Sequence, residues 1–223
     1  MKKTPALLIV SALFSLLSAC TPSGSRQAEL NRHSGQFLLV SALAIDLHGD
    51  GYTMTVESIR QDRLEGDASP AYFSVHADSF DALFEQADAM LSSRLYLMHT
   101  RTIIISDAIA HGALTALTDS LLSRPDARLT VRIAVAREHT PAQLLRAEAI
   151  SESIPGIALA SMLDQRVSDG LVADLPLFRM LDRQMSGLAF SLPVLRLSPD
   201  GHTAPDGSID ISAVQTEGGE PYA

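Results

Sequence analysis

Continuous apolar runs and alternating segments dominate the first third of the chain. Residues 37–45 are almost entirely apolar, which is typical of a strand buried on both faces. Residues 48–51 (His-Gly-Asp-Gly) form a tight-turn signal. Residues 52–57 then alternate apolar with polar positions, the period of a half-buried strand. Together these segments predict a β-hairpin, and another short strand is expected at residues 72–75.

From residue 79 onward, segments with helical periodicity alternate with strand-like segments. Helices are predicted at residues 79–91, 109–121, 140–145, 155–165 and 176–184. Further strands are predicted at residues 102–105, 131–135 and 188–197, the last interrupted by Pro193. The helix at 140–145 has the clearest start, because Thr140 as N-cap and Gln143 form a capping box with Pro141 between them.

The order of these elements predicts the fold class and the domain organisation. We expect an α+β (mixed α/β) fold with an N-terminal β-hairpin, a central mixed sheet and flanking helices. It forms a single main domain over residues 37–198. Residues 199–223 are rich in Gly and Pro, and only residues 208–214 are expected to form a strand. This segment is predicted to be an irregular tail or the start of a second domain that the chain lacks.

The first 36 residues predict export and a lipid anchor. Two lysines precede a 15-residue, mostly apolar run, which is too short to span a bilayer and suits a secretory signal peptide over residues 1–19. The sequence Leu-Ser-Ala-Cys ending at Cys20 resembles a bacterial lipobox, in which the Cys sulfur receives a diacylglycerol. Cys20 is the only cysteine, and residues 20–36 are predicted to be a lipidated tether. A plain signal peptide with a chance cysteine is the alternative.

The net charge of the chain narrows the kinds of partner that it is expected to bind. Both lysines precede Cys20, so the chain from Cys20 onward carries 15 arginines against 26 acidic residues, a formal net charge of −11. Nucleic acid is therefore not expected as a partner, because phosphate binding needs clustered positive charge. The same net charge argues against adhesion to anionic lipid headgroups. The covalent lipid is therefore expected to do the anchoring.

The sequence contains none of the common signatures of catalysis. A G-x-S-x-G elbow, an H-E-x-x-H pair, a glycine-rich phosphate loop and EF-hand spacing are all missing. With Cys20 lipidated, no thiol remains for a disulfide, a thiolate metal site or cysteine catalysis. We therefore predict that the protein is not an enzyme, and that it has no metal site and no cofactor other than the covalent lipid.

Three residues are candidates for ligand binding. His99 opens a predicted strand, and its alternative role is to hydrogen-bond at the edge of that strand. Arg124 and Arg128, with Arg132, surround one turn and strand, where guanidinium groups are able to clamp an anion bidentately. The alternative is that these arginines pair with surface carboxylates: Asp119, Asp126 and Glu138.

Several blocks of sequence resemble the N-terminal domain of the C subunit of bacterial spore-germination receptors, the Ger(x)C lipoprotein family. After the lipobox cysteine, the blocks are residues 29–46, 52–59, 96–114 and 121–138. They contain Ala-Ile-Asp at 44–46 where the family has Gly-Ile-Asp. They also contain His99 before the isoleucine run at 103–105, and Arg124 and Arg128 before an alternating strand. Ala44 and Ser106 replace glycines of the family pattern.

The resemblance implies a lipid-anchored, non-enzymatic subunit on the outer face of the cytoplasmic membrane, which is the inner membrane of the spore. It implies assembly with integral-membrane A and B subunits into a nutrient germinant receptor that acts in spore germination. It assigns no ligand-binding residues. Family members usually continue into further domains. Two other functions stay open: a solute-binding lipoprotein that captures a small nutrient directly, and an exported enzyme whose catalytic residues are scattered.

Overall fold

A mixed sheet organises the part of the chain that this computed structural model describes, residues 37–61 and 68–212. The eight strands within these segments are β1 Phe37–His48, β2 Gly51–Gln61, β3 Ala68–Ala77, β4 Arg94–Tyr96, β5 Thr102–Ser106, β6 Arg132–Ala136, β7 Phe190–Leu197 and β8 Thr203–Ile211. The six helices within them are α1 Phe80–Met90, α2 Asp107–Gly112, α3 Leu114–Ser123, α4 Pro141–Arg146, α5 Pro155–Ser168 and α6 Leu177–Met185. The predicted α+β (mixed α/β) fold is confirmed.

Parallel strands form the centre of the sheet and antiparallel strands form its flanks. The strand order is β3-β2-β1-β5-β6-β7-β8, with β4 also paired to β1. Strands β1, β5, β6 and β7 are mutually parallel, whereas β2, β3 and β8 pair antiparallel with their neighbours. A parallel centre is covered by helices on both faces, which explains why residues 40–45 are all buried.

The two faces of the sheet carry side chains of different size. One face is built from large aliphatic residues, including Leu43, Ile103 and Ile105, and it packs against α1, α2, α3 and α6. The other face presents alanines beneath leucines of α4 and α5. The four alanines are Ala42, Ala44, Ala134 and Ala136. The sheet also contributes the larger Ile104 and Leu195 to this face, so helices α4 and α5 rest on a layer made mostly of small side chains.

The predicted hairpin is confirmed, but the prediction that its second strand is half-buried is wrong. Strands β1 and β2 are joined at Gly49 and Asp50, and Gly49 has a positive φ of 60°. Within β2, Thr55 and Glu57 are as completely buried as Met54 and Val56. The reason is that β2 lies inside the sheet, between β1 and β3, with its polar face also covered.

The predicted helix at 109–121 is two helices in the structure. Helix α2 ends at Gly112, α3 begins at Leu114, and Ala113 between them has φ −140° and ψ 11°, outside the helical region. Glycine is a poor helix former, which favours a break at this point. The predicted apolar positions Ile109, Leu117 and Leu121 still lie in the core. The predicted spacing is therefore correct, whereas the prediction of one continuous helix is wrong.

The predicted start of the last strand is also wrong. Strand β8 begins at Thr203 rather than at residue 208, and it pairs antiparallel with β7 in the same sheet. Pro205 and Gly207 made this segment look irregular. However, β8 is an edge strand, where a proline without an N–H is tolerated. Residues 213–223 lie outside the described residues, and the predicted domain boundaries stay predictions.

The remaining elements agree with the prediction. Strands β2 and β3 are longer than expected, and the short strand β4 was not predicted. The ends of the other predicted helices and strands lie within about three residues of the observed ones. The capping box is present in full: Gln143 N–H donates to Thr140 Oγ1, and Thr140 N–H donates to Gln143 Oε1. Among the helices of the described segments, none combines the length and the apolar character needed to cross a bilayer.

Candidate functional site

Cys20 and the rest of the predicted signal peptide and tether lie outside the described residues. Lipidation of Cys20 therefore stays a prediction. The other three predicted site residues, His99, Arg124 and Arg128, lie in the described part and have different surroundings.

His99 ends a 3₁₀ turn that precedes β5, and its side chain is exposed. Its imidazole centroid lies 5.8 Å from the ring centroid of Tyr96. It does not line the surface cleft described below. Its role in ligand binding stays a prediction.

Arg124 ties three parts of the structure together. Its Nε lies 3.2 Å from Oδ1 of Asp126, and its Nη1 lies 3.5 Å from Oδ2 of Asp88 in α1. Its Nη2 donates to the carbonyl oxygen of Leu95 in β4, and the guanidinium carbon lies 4.9 Å from the ring centroid of Phe84. Only 17% of the side chain is exposed. These contacts occupy the guanidinium group. Of the predicted carboxylate partners Arg124 contacts Asp126, and this pair is largely shielded from solvent rather than on the surface.

Arg128 has a different environment, because it lines a surface cleft of ≈ 350 Å³ next to the amino ends of β5 and β6. We call this the arginine cleft. It is defined by its six charged residues: Arg101, Arg128, Arg132, Arg179, Asp164 and Asp174. Arg101 immediately precedes β5, and Arg132 begins β6, so the two neighbouring parallel strands place these arginines side by side.

The two carboxylates of the arginine cleft link three of its arginines into one chain of alternating charge. Asp164 of α5 lies 3.3 Å from Nη2 of Arg101 and 2.8 Å from Nε of Arg132. Asp174 lies 3.1 Å from Nη1 of Arg132 and also pairs with Arg179 of α6. The ion pairs thereby orient the three guanidinium groups around the cleft.

Arg128 stands outside that chain of ion pairs. Its Nε donates a 2.8 Å hydrogen bond to Oγ1 of Thr130. It forms no ion pair with any carboxylate of the residues that the structure describes. The terminal nitrogens of Arg128 are therefore the donors of the cleft with the fewest competing partners.

The sequence identified only part of this site. Arg128 and Arg132 were among the candidate anion-binding arginines, but Arg124, grouped with them, does not line the cleft. The other members come from distant segments of the chain: Arg101, Asp164, Asp174 and Arg179. The one available signal was that Arg101 and Arg132 each lie at the start of a predicted apolar strand.

A second polar group, the Glu57 cluster, lies inside the domain and comprises Ser41, Glu57, Tyr72 and Gly156. The Glu57 carboxylate accepts hydrogen bonds from Ser41 Oγ at 2.7 Å, Tyr72 Oη at 2.9 Å and the Gly156 N–H at 2.8 Å. Glu57 is 0% exposed, so no solute reaches it. The cluster joins β1, β2 and β3 to the first turn of α5.

Burial has the largest effect on the pKa values of Glu57 and Tyr72 in the Glu57 cluster. It raises the pKa of Glu57 above its usual value of 4.5, although the hydrogen bonds from Ser41, Tyr72 and Gly156 act in the opposite direction. The pKa of Tyr72 is also raised, first by burial and then by the neighbouring Glu57 charge. The arrangement holds one carboxyl group with three donors, which suits a structural clamp.

Metal ligands do not converge in the described segments, where no three His, Asp or Glu side chains are grouped to hold an ion. Of the two polar groups, only the arginine cleft is open to a ligand.

Comparison with known proteins identifies the family. A family model described as "Spore germination protein N-terminal domain" matches residues 35–197. Among solved structures, the "Crystal Structure of the GerBC protein" is 15% identical, with a TM-score of 0.38, and the alignment covers 77% of this chain and 48% of that chain. The chain thus spans about half the length of that solved relative. No curated protein matches. Because the family model covers most of the sequence, the chain belongs to the family of spore germination protein N-terminal domains, as its resemblance to germinant-receptor C subunits predicted.

Proposed function

We propose that this protein is the lipid-anchored, non-catalytic subunit of a nutrient germinant receptor in the inner membrane of the spore. It assembles there with integral-membrane A and B subunits and acts in spore germination. The observation that carries the proposal is the family match over residues 35–197. The lipobox at Cys20 supports the anchor, because two or more acyl chains hold a protein firmly at a membrane.

The surface around α6 supports an assembly role. Met185, in the last turn of α6, is 88% exposed, and Phe178 and Leu188 nearby are also exposed. Exposed aromatic and methionine side chains next to arginines are the composition enriched at protein interfaces. We propose that this surface, defined by Phe178, Met185 and Leu188, contacts a receptor subunit.

The test is a pull-down of the tagged full-length protein from detergent-solubilised spore membranes, with mass spectrometry of the recovered proteins. We expect a polytopic membrane protein to be recovered with the wild-type chain. Cys20→Ala should reduce both this recovery and the membrane-bound fraction of the chain. Recovery of the chain alone, with Cys20→Ala equally membrane-bound, would contradict both the anchor and the receptor assignment. The solute-binding lipoprotein would then be the leading function.

A second pair of variants separates assembly from anchoring. Met185→Glu places a charge on the proposed contact surface and should lower partner recovery without changing the membrane-bound fraction. Ile150→Glu is the matched control, since Ile150 is 81% exposed on the loop between α4 and α5. Equal partner recovery for the two variants would show that the α6 surface is not the contact.

A further inference from the structure

We propose that the arginine cleft binds a small dianion whose charges are carried by carboxylate or phosphate oxygens. Four arginines and two aspartates line the cleft, so its charged groups leave an excess of two positive charges. The chain as a whole has a formal net charge of −9. Such a local reversal of sign focuses the field on the cleft and attracts an anion to it.

The donors required for an oxyanion are present and oriented. Each guanidinium group has five N–H donors in a planar fork that matches two oxygens of a carboxylate or phosphate. The ion pairs with Asp164 and Asp174 hold Arg101, Arg132 and Arg179 in position without using all of their N–H groups. Arg128 retains its two terminal nitrogens for a ligand. Fixed donors cost less conformational entropy when a ligand binds.

The size and the wall of the cleft favour a compact solute. A volume of ≈ 350 Å³ lies at the lower end of the range for small-molecule sites. Phe178, which is 45% exposed, and Pro176 supply an apolar side for the carbon skeleton. A phosphodiester lipid headgroup carries only one negative charge, so it neutralises half of the excess. A free dianion matches the charge of the cleft more fully.

The test uses the full-length chain in neutral detergent and isothermal titration calorimetry near neutral pH and at low salt. The probes are succinate and inorganic phosphate, with acetate as a monoanion and short-chain phosphatidylglycerol as a phosphodiester. We expect saturable binding of at least one dianion, and weaker or no binding of the two monoanions. Higher salt should weaken the binding.

A matched pair of variants locates the binding. Arg128→Gln should weaken dianion binding by about tenfold, the effect of losing one charge-assisted hydrogen-bonding group. Arg94→Gln changes the net charge equally, at an exposed position in β4 outside the cleft, and should leave the affinity unchanged. Both variants should unfold at the wild-type temperature, because neither arginine forms an ion pair in the described residues.

Three results would overturn the proposal. The first is the absence of saturable binding for both dianions. The second is an equal loss of affinity in Arg128→Gln and Arg94→Gln, which would indicate unspecific attraction. The third is binding of the phosphodiester or acetate as tightly as the dianions, which would show that the cleft does not select two charges. This proposal does not depend on the lipid anchor. Phe178 belongs both to the cleft and to the proposed contact surface of α6, so binding is measured on the isolated chain, where that surface is uncovered.

Discussion

The backbone N–H of Gly156 donates a 2.8 Å hydrogen bond to Oε1 of Glu57, which lies 99 residues earlier in the chain. A Cβ atom at position 156 would lie 2.4 Å from that same oxygen and 2.4 Å from Cβ of Ala42. The first turn of α5 therefore contacts the sheet at a distance that only glycine permits. Close approach, rather than an unusual φ angle, explains the glycine at this position.

We predict that Gly156→Ala destabilises the protein by about 1–3 kcal/mol, because the added methyl group overpacks the junction between α5 and the sheet. A loss of stability would be informative, because replacing glycine by alanine inside a helix normally stabilises it by about 1 kcal/mol. Urea unfolding of the purified chain measures the effect. Gly112→Ala at the end of α2 is the matched control, because a methyl group added there would have no neighbouring atom within 4 Å. A stabilised Gly156→Ala protein would show that α5 moves away from the sheet at no cost.

The Glu57 cluster makes stability depend on pH in an unusual direction. The pKa of Glu57 is raised in the folded state, so the folded protein holds this proton more tightly than the unfolded chain does. Its contribution to stability is fully present below pH 4.5, the usual value for the unfolded chain, and is lost as the pH rises through the folded-state pKa. Carboxylates stabilised by ion pairs behave in the opposite way.

Glu57→Gln tests this dependence, because glutamine has nearly the same shape and does not titrate. We expect the free energy of unfolding of the wild type, measured relative to Glu57→Gln, to fall as the pH increases above 4.5. Denaturant unfolding of both proteins over a series of pH values gives the difference. A difference that rises with pH would mean that the hydrogen bonds from Ser41, Tyr72 and Gly156 outweigh burial and lower the pKa.

Replacing Arg124 or Arg128 by glutamine is expected to change the stability of the protein by different amounts. Arg124→Gln removes the ion pairs to Asp88 and Asp126, both largely shielded from solvent, and should cost about 1–2 kcal/mol of stability. Arg128→Gln should change stability by less than about 0.5 kcal/mol. Thermal or urea unfolding compares the two variants. Equal destabilisation would mean that Arg128 also has a structural role.

Local signals in the sequence were sufficient where a feature depends on neighbouring residues. The capping box of Thr140 and Gln143 forms within one turn, and both of its hydrogen bonds are present. The apolar run at 37–45 indicated a strand covered on both faces, and β1 occupies the interior of the sheet. In both cases the pattern that predicts the feature lies within one short segment.

Features that depend on distant partners were not predictable in this way. Glu57 looked like the solvent-facing residue of a half-buried strand, because nothing near it indicates that Gly156 and Tyr72 cover it. The arginine cleft depends on strand order, which brings Arg101 beside Arg132, and on the position of Asp164 in α5. Strand β8 was predicted to start too late because a proline such as Pro205 is tolerated at a sheet edge, and the edge is a property of the whole sheet.

The two faces of the sheet differ in side-chain size, so they are sensitive to different substitutions. Enlarging substitutions disturb one face and truncating substitutions disturb the other. Beneath α4 and α5, residues such as Ala42 and Ala134 have almost no volume to lose, so only enlargement disturbs the packing. On the opposite face, Ile103 and Ile105 fill the space available, and truncation leaves cavities. Sequence drift in this domain is therefore limited by an upper bound on side-chain size at the alanine positions beneath α4 and α5, and by a lower bound at the large aliphatic positions of the opposite face.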